Sequence, residues 1–249
     1  GMMLQNKDIA SLKNLFKEES KKIVDMNFTA TKMKIGLGID KDLELVNSVR
    51  DSVGKDFKLM VDANHAYTTP DALKLGKGLE GLNIYWFEEP VAPEDLNGYK
   101  ELKSKLNINI AGGEAEFTRW GWNNLIKNNC IDIAQPEVCA LGGISEYLKV
   151  LNLAHTNFIP VINHVWGSAI SVAVNLHLLT AMPDIPGGLY PTKSMLEFDT
   201  THNLFLTELT NEGFSIFEQV KSKNGYASAP EGYGIGLTPN IEVLEKFKV

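Results

Sequence analysis

The chain repeats one unit, in which a short apolar run ends in polar residues and is followed by a stretch with helical periodicity. The polar residues at the ends of successive runs lie 23 to 33 residues apart, a spacing typical of strand–helix units. The runs are continuously apolar, as expected for parallel strands covered by helices. Seven such runs occur: Thr31–Ile35, Lys58–Asp62, Ile84–Glu88, Ile108–Gly112, Ile131–Gln135, Pro160–Asn163 and Met195–Phe198.

This pattern predicts a closed (β/α) barrel rather than an open doubly wound sheet, and no GxGxxG motif follows the first run. Helices with a period near 3.6 are predicted between the runs, with Thr69 as the N-cap before Pro70. The segments are Asp8–Met26, Asp40–Val53, Pro70–Leu79, Glu94–Leu106, Thr118–Asn128, Ile144–His155 and Ser168–Ala181. A barrel has eight strands. Either the first strand is therefore missing, or the Gly-rich tail after about Leu204 supplies one.

Composition limits the class of protein. The 249 residues match the length of one α/β barrel, and 44% hydrophobic content supports a large core. A net charge of −7 without a Lys/Arg-rich run argues against nucleic-acid binding, and no apolar run approaches the length of a membrane span. Cys130 and Cys139 lack CxxC spacing and a secretion signal, so we expect reduced thiols and a cytoplasmic location.

Three carboxylates end consecutive predicted strands: Asp62, Glu88 and Glu114. The carboxyl ends of barrel strands meet at one face, where active sites lie. Each residue alone could be a solvated strand end or a helix cap. Together they would repel one another unless a cation lay between them, and an all-oxygen ligand set favours Mg²⁺.

Lys32 and Lys34 lie two residues apart on the first predicted strand and so point to the same face. Inside a barrel, burial and a neighbouring ammonium group favour the neutral amine, which can act as a base. The alternative is an exposed pair on the protein surface.

Glu137 and His164 end the next two predicted strands after the carboxylates. A carboxylate bonded to one imidazole nitrogen leaves the other nitrogen available for acid–base chemistry. On a closed barrel this pair would lie on the opposite side of the carboxylate strands from Lys34. Glu197, on the last predicted strand, could donate a hydrogen bond to a substrate if burial keeps it protonated, or could be an ordinary ion-pair partner.

The chain resembles the mandelate racemase/muconate lactonising group of the enolase superfamily from about residue 8 to its C-terminus. The similar segments are Thr31-Lys-Met-Lys-Ile-Gly36, Val61-Asp-Ala-Asn64, Trp86-Phe-Glu-Glu-Pro90, Ala111-Gly-Gly-Glu114, Gln135-Pro-Glu-Val138 with Gly142-Gly143, and Asn163-His-Val-Trp-Gly167. The resemblance implies a (β/α)7β-like TIM barrel over residues 1–203 without its first strand. It also implies a tail over 204–249 that in the family packs back toward an N-terminal capping domain, and we expect that domain to be absent here.

The resemblance also implies roles for individual residues. Asp62, Glu88 and Glu114 would bind Mg²⁺. Lys34, assisted by Lys32, would take the proton α to a carboxylate. The remaining roles would be a second acid–base pair (Glu137 and His164), an electrophilic hydrogen-bond donor (Glu197), and groups that contact the substrate or support the ligands (Asn64, His65 and Glu89). The family usually has Asp where this chain has Glu137, which makes the geometry of that pair a point to test.

Three hypotheses about function follow. The first is a Mg²⁺-dependent acid-sugar dehydratase, in which Lys34 or His164 removes the α-proton and His164 protonates the departing hydroxide. The second is a racemase, epimerase or cycloisomerase of the same superfamily, with bases on opposite faces of the substrate. The third is a non-catalytic truncated barrel stabilised as a homo-oligomer, which would follow if the capping loops that exclude water were missing.

Overall fold

The structure is a computed structural model that describes residues 8–183, 195–201, 203–222 and 225–248. The chain divides into two compact units. The first comprises the described residues up to 116 together with 120–134, and the second comprises 117–119 and the described residues from 135 onward.

The elements alternate between helix and strand through the first unit. They are α1 (Ile9–Asp25), β1 (Ala30–Lys34), α2 (Ile39–Val53), β2 (Lys58–Asp62), α3 (Thr69–Leu79), the 3₁₀ turn η1 (Glu80–Leu82), β3 (Ile84–Glu88), α4 (Leu96–Lys105), β4 (Asn109–Gly112), α5 (Thr118–Lys127) and β5 (Ile133–Ala134). They continue with α6 (Gly143–Thr156), α7 (Ala169–Ala181), α8 (Leu204–Thr207), α9 (Gly213–Ser222) and α10 (Ile241–Lys246).

The five strands form one parallel sheet in sequence order, β1-β2-β3-β4-β5. The register aligns the strand ends, with Lys34 opposite Asp62, Asp62 opposite Glu88, and Glu88 opposite Ala111. Successive right-handed βα units place consecutive strands side by side. The predicted strand order along the first five runs is therefore present, and the ionisable strand ends lie in one row.

The predicted helices are all present, with ends within two residues of the predicted ones. The N-cap of α3 is Thr68, whose side chain accepts from the Asp71 N–H, and not Thr69 as predicted. Thr69 is instead the first helical residue, and its hydroxyl donates to Asp95 at 2.7 Å. Either of the two threonines before Pro70 could cap the helix. The sequence does not show which one does, because it does not reveal that the Thr69 hydroxyl bonds Asp95 instead.

Two of the strand predictions are wrong, because these segments do not form regular strands. In Pro160–Asn163 only Val161 forms a bridge, and Met195–Phe198 has no regular secondary structure. Within the described tail, the one isolated bridge outside named strands joins Thr210 to Pro239. An apolar run predicts that a segment is extended and buried, but a strand also needs a paired neighbour, which the sequence alone does not supply.

Each unit has its own apolar core. In the first, the fully buried side chains of the strands include Leu59, Val61, Phe87 and Ile110. In the second, Val165, Ala173, Leu206, Ile216 and Phe217 form one cluster. Burial of a large apolar side chain is worth about 1.5–3 kcal/mol, so these clusters are the main stabilising elements of the two units.

Arg50 on α2 fixes the amino-terminal ends of β2 and β3. Its buried guanidinium donates to the backbone carbonyls of Gly54 and Phe57, just before β2, and to those of Leu82 and Asn83, just before β3. The end of the sheet opposite the ionisable row is therefore held by backbone contacts. No helix in the part of the chain described by the structure is both long and apolar enough to span a lipid bilayer.

Candidate functional site

The three predicted metal ligands lie together at the carboxyl ends of β2, β3 and β4. Asp62, Glu88 and Glu114 each offer one oxygen, and these oxygens lie within 4.8 Å of one another. Asp62 and Glu88 are almost completely buried, at 0% and 1% exposure. Buried carboxylates at this range repel strongly, and a hard divalent cation is the ligand that an all-oxygen set of this kind fits.

Lys32 and Lys34 contact this carboxylate cluster from β1. Lys32 forms an ion pair with Glu88 and lies 3.4 Å from Asp62, and Lys34 forms an ion pair with Asp62. Both lysines reach one carboxylate, so the prediction that they share a face is confirmed. The Lys34 side chain is 41% exposed and that of Lys32 only 10%, which makes Lys34 the more accessible amine.

The pKa of Asp62 is set by opposing effects. Burial alone would raise it, but the charges of Lys32 and Lys34 and the hydrogen bonds from Lys34 and the Asn64 N–H hold the pKa below the usual value of a carboxyl. Asp62 is therefore an anion across the neutral range, as a metal ligand must be.

Trp86 is a contact of the cluster that the sequence analysis missed. Its indole Nε1 donates to Glu88 Oε2 at 2.8 Å, and both side chains are buried. Residues two apart on a strand share a face, so the position of Trp86 two residues before Glu88 was the available signal.

Asn64, His65 and Glu89 form a second polar group directly after β2 and β3. His65 Nε2 lies 3.1 Å from Glu89 Oε2, the Asn64 amide donates to the same oxygen at 3.5 Å, and the His65 N–H donates to the Glu89 carbonyl at 2.9 Å. All three residues have positive φ, at 42°, 64° and 42°. The chain therefore leaves both strands in the left-handed region, which costs free energy in residues other than glycine and is common at functional sites.

Glu89 is a fourth buried carboxyl beside the cluster. Burial, together with the charges of Glu114, Asp62 and Glu88, raises its pKa to about 8. The left-handed turn at Glu89 interrupts the alternation of the strand, which explains how two consecutive residues, Glu88 and Glu89, are both buried near the same charges.

The remaining predicted catalytic residues, Glu137, His164 and Glu197, lie in the second unit. His164 Nδ1 is 2.9 Å from Glu137 Oε2, while the other oxygen of Glu137 accepts from the Cys139 N–H at 3.0 Å. Glu137 therefore reaches the imidazole, although the family resemblance implies aspartate at this position. Glu197 Oε2 accepts from the Val165 N–H at 3.0 Å, so all three predicted residues lie around one backbone segment.

A buried amide network supports the segment that carries His164. Asn163, 1% exposed, accepts from the Tyr147 hydroxyl at 2.9 Å and donates to Asn175 at 2.7 Å. Asn175 in turn donates to the Ser171 carbonyl within α7. Tyr147 and Asn175 were not predicted, because a polar residue within an apolar helix does not reveal its tertiary partner in the sequence.

Parallel βα units that carry an acidic cluster at the carboxyl ends of the strands define the class of protein as a (β/α) barrel with a strand-end site. The chain belongs to the enolase C-terminal domain-like family, whose model matches residues 15–243. Its fold class is accordingly the (β/α) barrel, and the resemblance to the enolase superfamily is confirmed.

Sugar-acid enzymes are prominent among the similar proteins. The chain is 37% identical to D-galactarolactone cycloisomerase of Agrobacterium fabrum over 89% of this chain and 57% of the relative. It is 32% identical to arabinonate dehydratase of Saccharolobus solfataricus over 100% of this chain and 62% of the relative. The chain thus spans about three-fifths of the length of these relatives.

Solved structures agree with the sequence relatives. The crystal structure of 3,6-anhydro-D-galactonate cycloisomerase from Zobellia galactanivorans superposes with a TM-score of 0.84 at 36% identity, covering 95% of this chain and 63% of that one. A structure of L-talarate/galactarate dehydratase liganded with Mg and L-glucarate has a TM-score of 0.77 at 27% identity, covering 94% of this chain and 53% of that one.

Proposed function

We propose that the chain carries the catalytic site of a Mg²⁺-dependent sugar-acid dehydratase. The observation that carries the proposal is the cluster of Asp62, Glu88 and Glu114, with oxygens within 4.8 Å of one another and a lysine pair in contact with it. The dehydratases among the similar proteins support the choice of reaction, and the dehydratase structure that contains Mg supports the choice of ion.

Asp62, Glu88 and Glu114 would hold the ion. When bound, Mg²⁺ supplies positive charge that stabilises the negative charge developing on the substrate carboxylate as the α-proton leaves. The donor set fits this role, because all three ligands are carboxylates and hard oxygen ligands suit Mg²⁺.

Lys34 is the proposed base. As a neutral amine it takes the proton from the α-carbon, and the C–H electron pair moves into the bond between the α- and β-carbons. The β-carbon releases its hydroxyl as hydroxide, which takes up a proton and leaves as water; the family resemblance implies His164 as the donor of that proton. The enol that remains tautomerises to a 2-keto acid. By the family resemblance Lys32 would assist Lys34, and the hydrogen bond that His164 Nδ1 donates to Glu137 would fix the imidazole orientation.

The substrate would be a polyhydroxylated carboxylate. Asn64, His65 and Glu89 place an amide, an imidazole and a carboxyl next to the carboxylate cluster, and such groups can bond hydroxyls along a sugar-acid chain. Glu197 is proposed as a hydrogen-bonding group of the same reaction, in line with the family resemblance.

The proposal is tested first by titrating the protein with Mg²⁺ in a calorimeter. The next step is to assay arabinonate, L-talarate and galactarate for keto-acid formation. We expect saturable Mg²⁺ binding and keto-acid production from at least one of these acids. Absence of Mg²⁺ binding would remove the proposed metal site, and binding without any turnover would remove the proposed reaction for this chain.

The Lys34→Ala variant tests the base. We expect Mg²⁺ binding within about twofold of wild type and a loss of turnover of at least about 100-fold, because general base catalysis contributes about 10²–10⁴ in rate. Lys58→Ala is the matched control, because Lys58 lies at the opposite end of β2 and stacks over the Tyr85 ring. Retained turnover in Lys34→Ala would place the base elsewhere.

A cycloisomerase is the second candidate, because cycloisomerases are among the similar proteins. The two reactions share removal of the proton α to a carboxylate but differ in mass balance. A dehydratase product is lighter than the acid by one water, whereas ring opening of a lactone or anhydro sugar conserves mass. Mass spectrometry of the product from D-galactarolactone and from the acids above separates them.

A further inference from the structure

Two loops that leave the carboxyl ends of β1 and β2 lie against each other. The first follows Lys34, and the second follows Asp62. The strands themselves are in register at these residues, and the Ile35 N–H donates to the Asp62 carbonyl at 2.9 Å. Beyond these residues the two loops are no longer paired in the sheet, so other contacts must hold them together.

Asp42, in the first turn of α2, supplies these contacts. Its carboxylate is fully buried and accepts from the Gly36 N–H at 2.7 Å, from the Leu37 N–H at 3.1 Å, and from the Tyr67 hydroxyl. The hydroxyl of Tyr67, in the second loop, also accepts from the Gly38 N–H at 3.2 Å. Three consecutive amides after the strand of Lys34 are thus tied to one carboxylate and one phenol.

The approach of the loops requires glycine at one position. Gly36 has a φ of 105°, and a Cβ built there would lie 2.8 Å from the Ala66 Cβ. A side chain at residue 36 would therefore push the two loops apart. Burial, together with the hydrogen bond and charge of Asp42, raises the pKa of Tyr67, so the phenol is a proton donor to Asp42 throughout the working range.

A buried charge of this kind contributes little net stability, because desolvation offsets its attraction to partners. Apolar residues of similar shape would pack two loops together at lower cost. What charge-assisted hydrogen bonds add is a fixed geometry, and proton transfer depends strongly on geometry, since displacement by 1 Å costs about 10²-fold in rate.

We propose that Asp42 and Tyr67 are positioning residues that hold the amine of Lys34 at a set distance from the Asp62–Glu88–Glu114 cluster. The inference rests on the proposed role of Lys34 as the base. Neither residue is among those identified by the family motifs, and the hydrogen bonds described above join them to backbone amides and to each other.

Tyr67→Phe is the decisive variant, because it removes one oxygen and keeps the ring. The substrate is whichever of arabinonate, L-talarate and galactarate the wild type turns over most rapidly. We expect kcat for it to fall about tenfold or more, in line with a sub-ångström shift of the base. KM and the Mg²⁺ dissociation constant should stay within about twofold, because the groups assigned to binding are not altered. Tyr85→Phe is the control, since it removes a phenol oxygen from β3 in the same unit.

Asp42→Asn extends the test. An amide retains one acceptor oxygen and loses the charge, so it cannot accept from two backbone amides and the phenol as the carboxylate does. We expect a larger fall in kcat, about 100-fold, with Mg²⁺ affinity again retained. A parallel rise of KM and loss of Mg²⁺ affinity in both variants would indicate general disruption and overturn the positioning role. Unchanged kcat in both would do the same.

A measurement without turnover separates this inference from the proposed function. In protein labelled with ¹³C at lysine Cε, the Lys34 resonance is assigned by its absence in Lys34→Arg. We expect Tyr67→Phe and Asp42→Asn to shift or broaden the Lys34 resonance while leaving that of Lys58 in place. If the wild type turns over no sugar acid, the proposed function fails. Unchanged Lys34 resonances in both variants would independently refute the positioning role.

Discussion

Glu89 shows how one residue combines backbone strain with an unfavourable charge. It has a φ of 42°, precedes Pro90, and is 1% exposed beside Asp62, Glu88 and Glu114. A left-handed residue other than glycine costs about 1–3 kcal/mol, and proline disfavours helical conformations in the residue before it. Hydrogen bonds from Asn64 and His65 to Glu89 offset part of this cost.

The protonation of Glu89 makes stability depend on pH. Its pKa is raised from 4.5 to about 8 in the folded protein, so the folded state holds a proton that the unfolded state releases. The stability that this proton contributes is fully present below pH 4.5, decreases between 4.5 and about 8, and is lost above that. In metal-free protein we expect Glu89→Gln to match wild type at pH 5 and to be more stable than wild type at pH 9.

Urea unfolding in the presence of a chelator checks this expectation. The exposed Glu101→Gln on α4 is the control and should give the same small difference at both pH values. If Glu89→Gln is equally or less stable than wild type at pH 9, the carboxyl is not held protonated by its surroundings.

Among the elements, β4 and its continuation place Glu114 by way of a tightly packed glycine. Gly113 has a φ of 122°, and a Cβ there would lie 2.2 Å from the ring of Trp122, which is fully buried in α5. The indole thus packs directly on the backbone next to a proposed ligand. Both the backbone conformation and the contact require glycine.

We expect Gly113→Ala to destabilise the protein by about 2–6 kcal/mol, from the sum of backbone strain and overpacking. It should also weaken Mg²⁺ binding, because Glu114 is the next residue. Gly81→Ala is the matched control, since a Cβ at Gly81 meets no atom within 4 Å and its φ is not in the left-handed region. Chemical denaturation and calorimetry measure the two effects, and equal stabilities for the two variants would contradict this account.

At the scale of single elements, the sequence predicts a strand correctly where the local apolar pattern and the tertiary pairing of strands agree. The runs from Thr31 to Ala134 became paired strands because each one is apolar and followed by a helix that covers it. The run at Pro160–Asn163 is also mainly apolar but has only one bridged residue. Strand pairing depends on a neighbouring strand, which the local sequence does not specify. The cap of α3 differs for a similar reason, because Thr69 bonds Asp95 across 26 residues.

Across the whole first unit, the two ends of the sheet have different functions. Arg50 fixes the amino-terminal ends through backbone carbonyls, and the carboxyl ends hold the ionisable side chains. This is the usual division in barrels between a stabilising face and a reactive face. It explains why mutual proximity of Asp62, Glu88 and Glu114 was predictable from the order of strands alone.

Most of the residues that sequence reasoning missed have no such rule; Trp86, two residues before Glu88 on one strand face, is the exception. Asp42, Tyr67, Tyr147 and Asn175 support the proposed site from loops and helices, and the contacts described above span up to 29 residues along the chain. Their types are ordinary for their elements, and only the folded arrangement gives their polar atoms partners. Strand-end chemistry can thus be predicted from sequence, whereas the contacts that support it depend on tertiary packing.

Metal binding should stabilise the folded chain. Because a folded site binds the ion and an unfolded chain does not, Mg²⁺ at about 100 times its dissociation constant should add about 2.7 kcal/mol to the free energy of unfolding. Removal of the ion with a chelator should reverse the gain. Urea unfolding with and without Mg²⁺ measures it, and Glu114→Gln should lose most of the increment while Glu101→Gln keeps it. An equal gain in both variants would show that the ion acts elsewhere.

The register of the sheet also determines which changes in chain length the protein can accept. Lys34, Asp62 and Glu88 face one another across three strands. One residue inserted within β2 would turn Asp62 to the opposite side of the sheet, leaving every side chain present and the row of charges broken. Outside the strands this two-residue alternation does not apply. Insertions and deletions in related chains should therefore occur mainly outside the strands. Ion binding then becomes a sensitive measure of whether the strands have paired in the correct register.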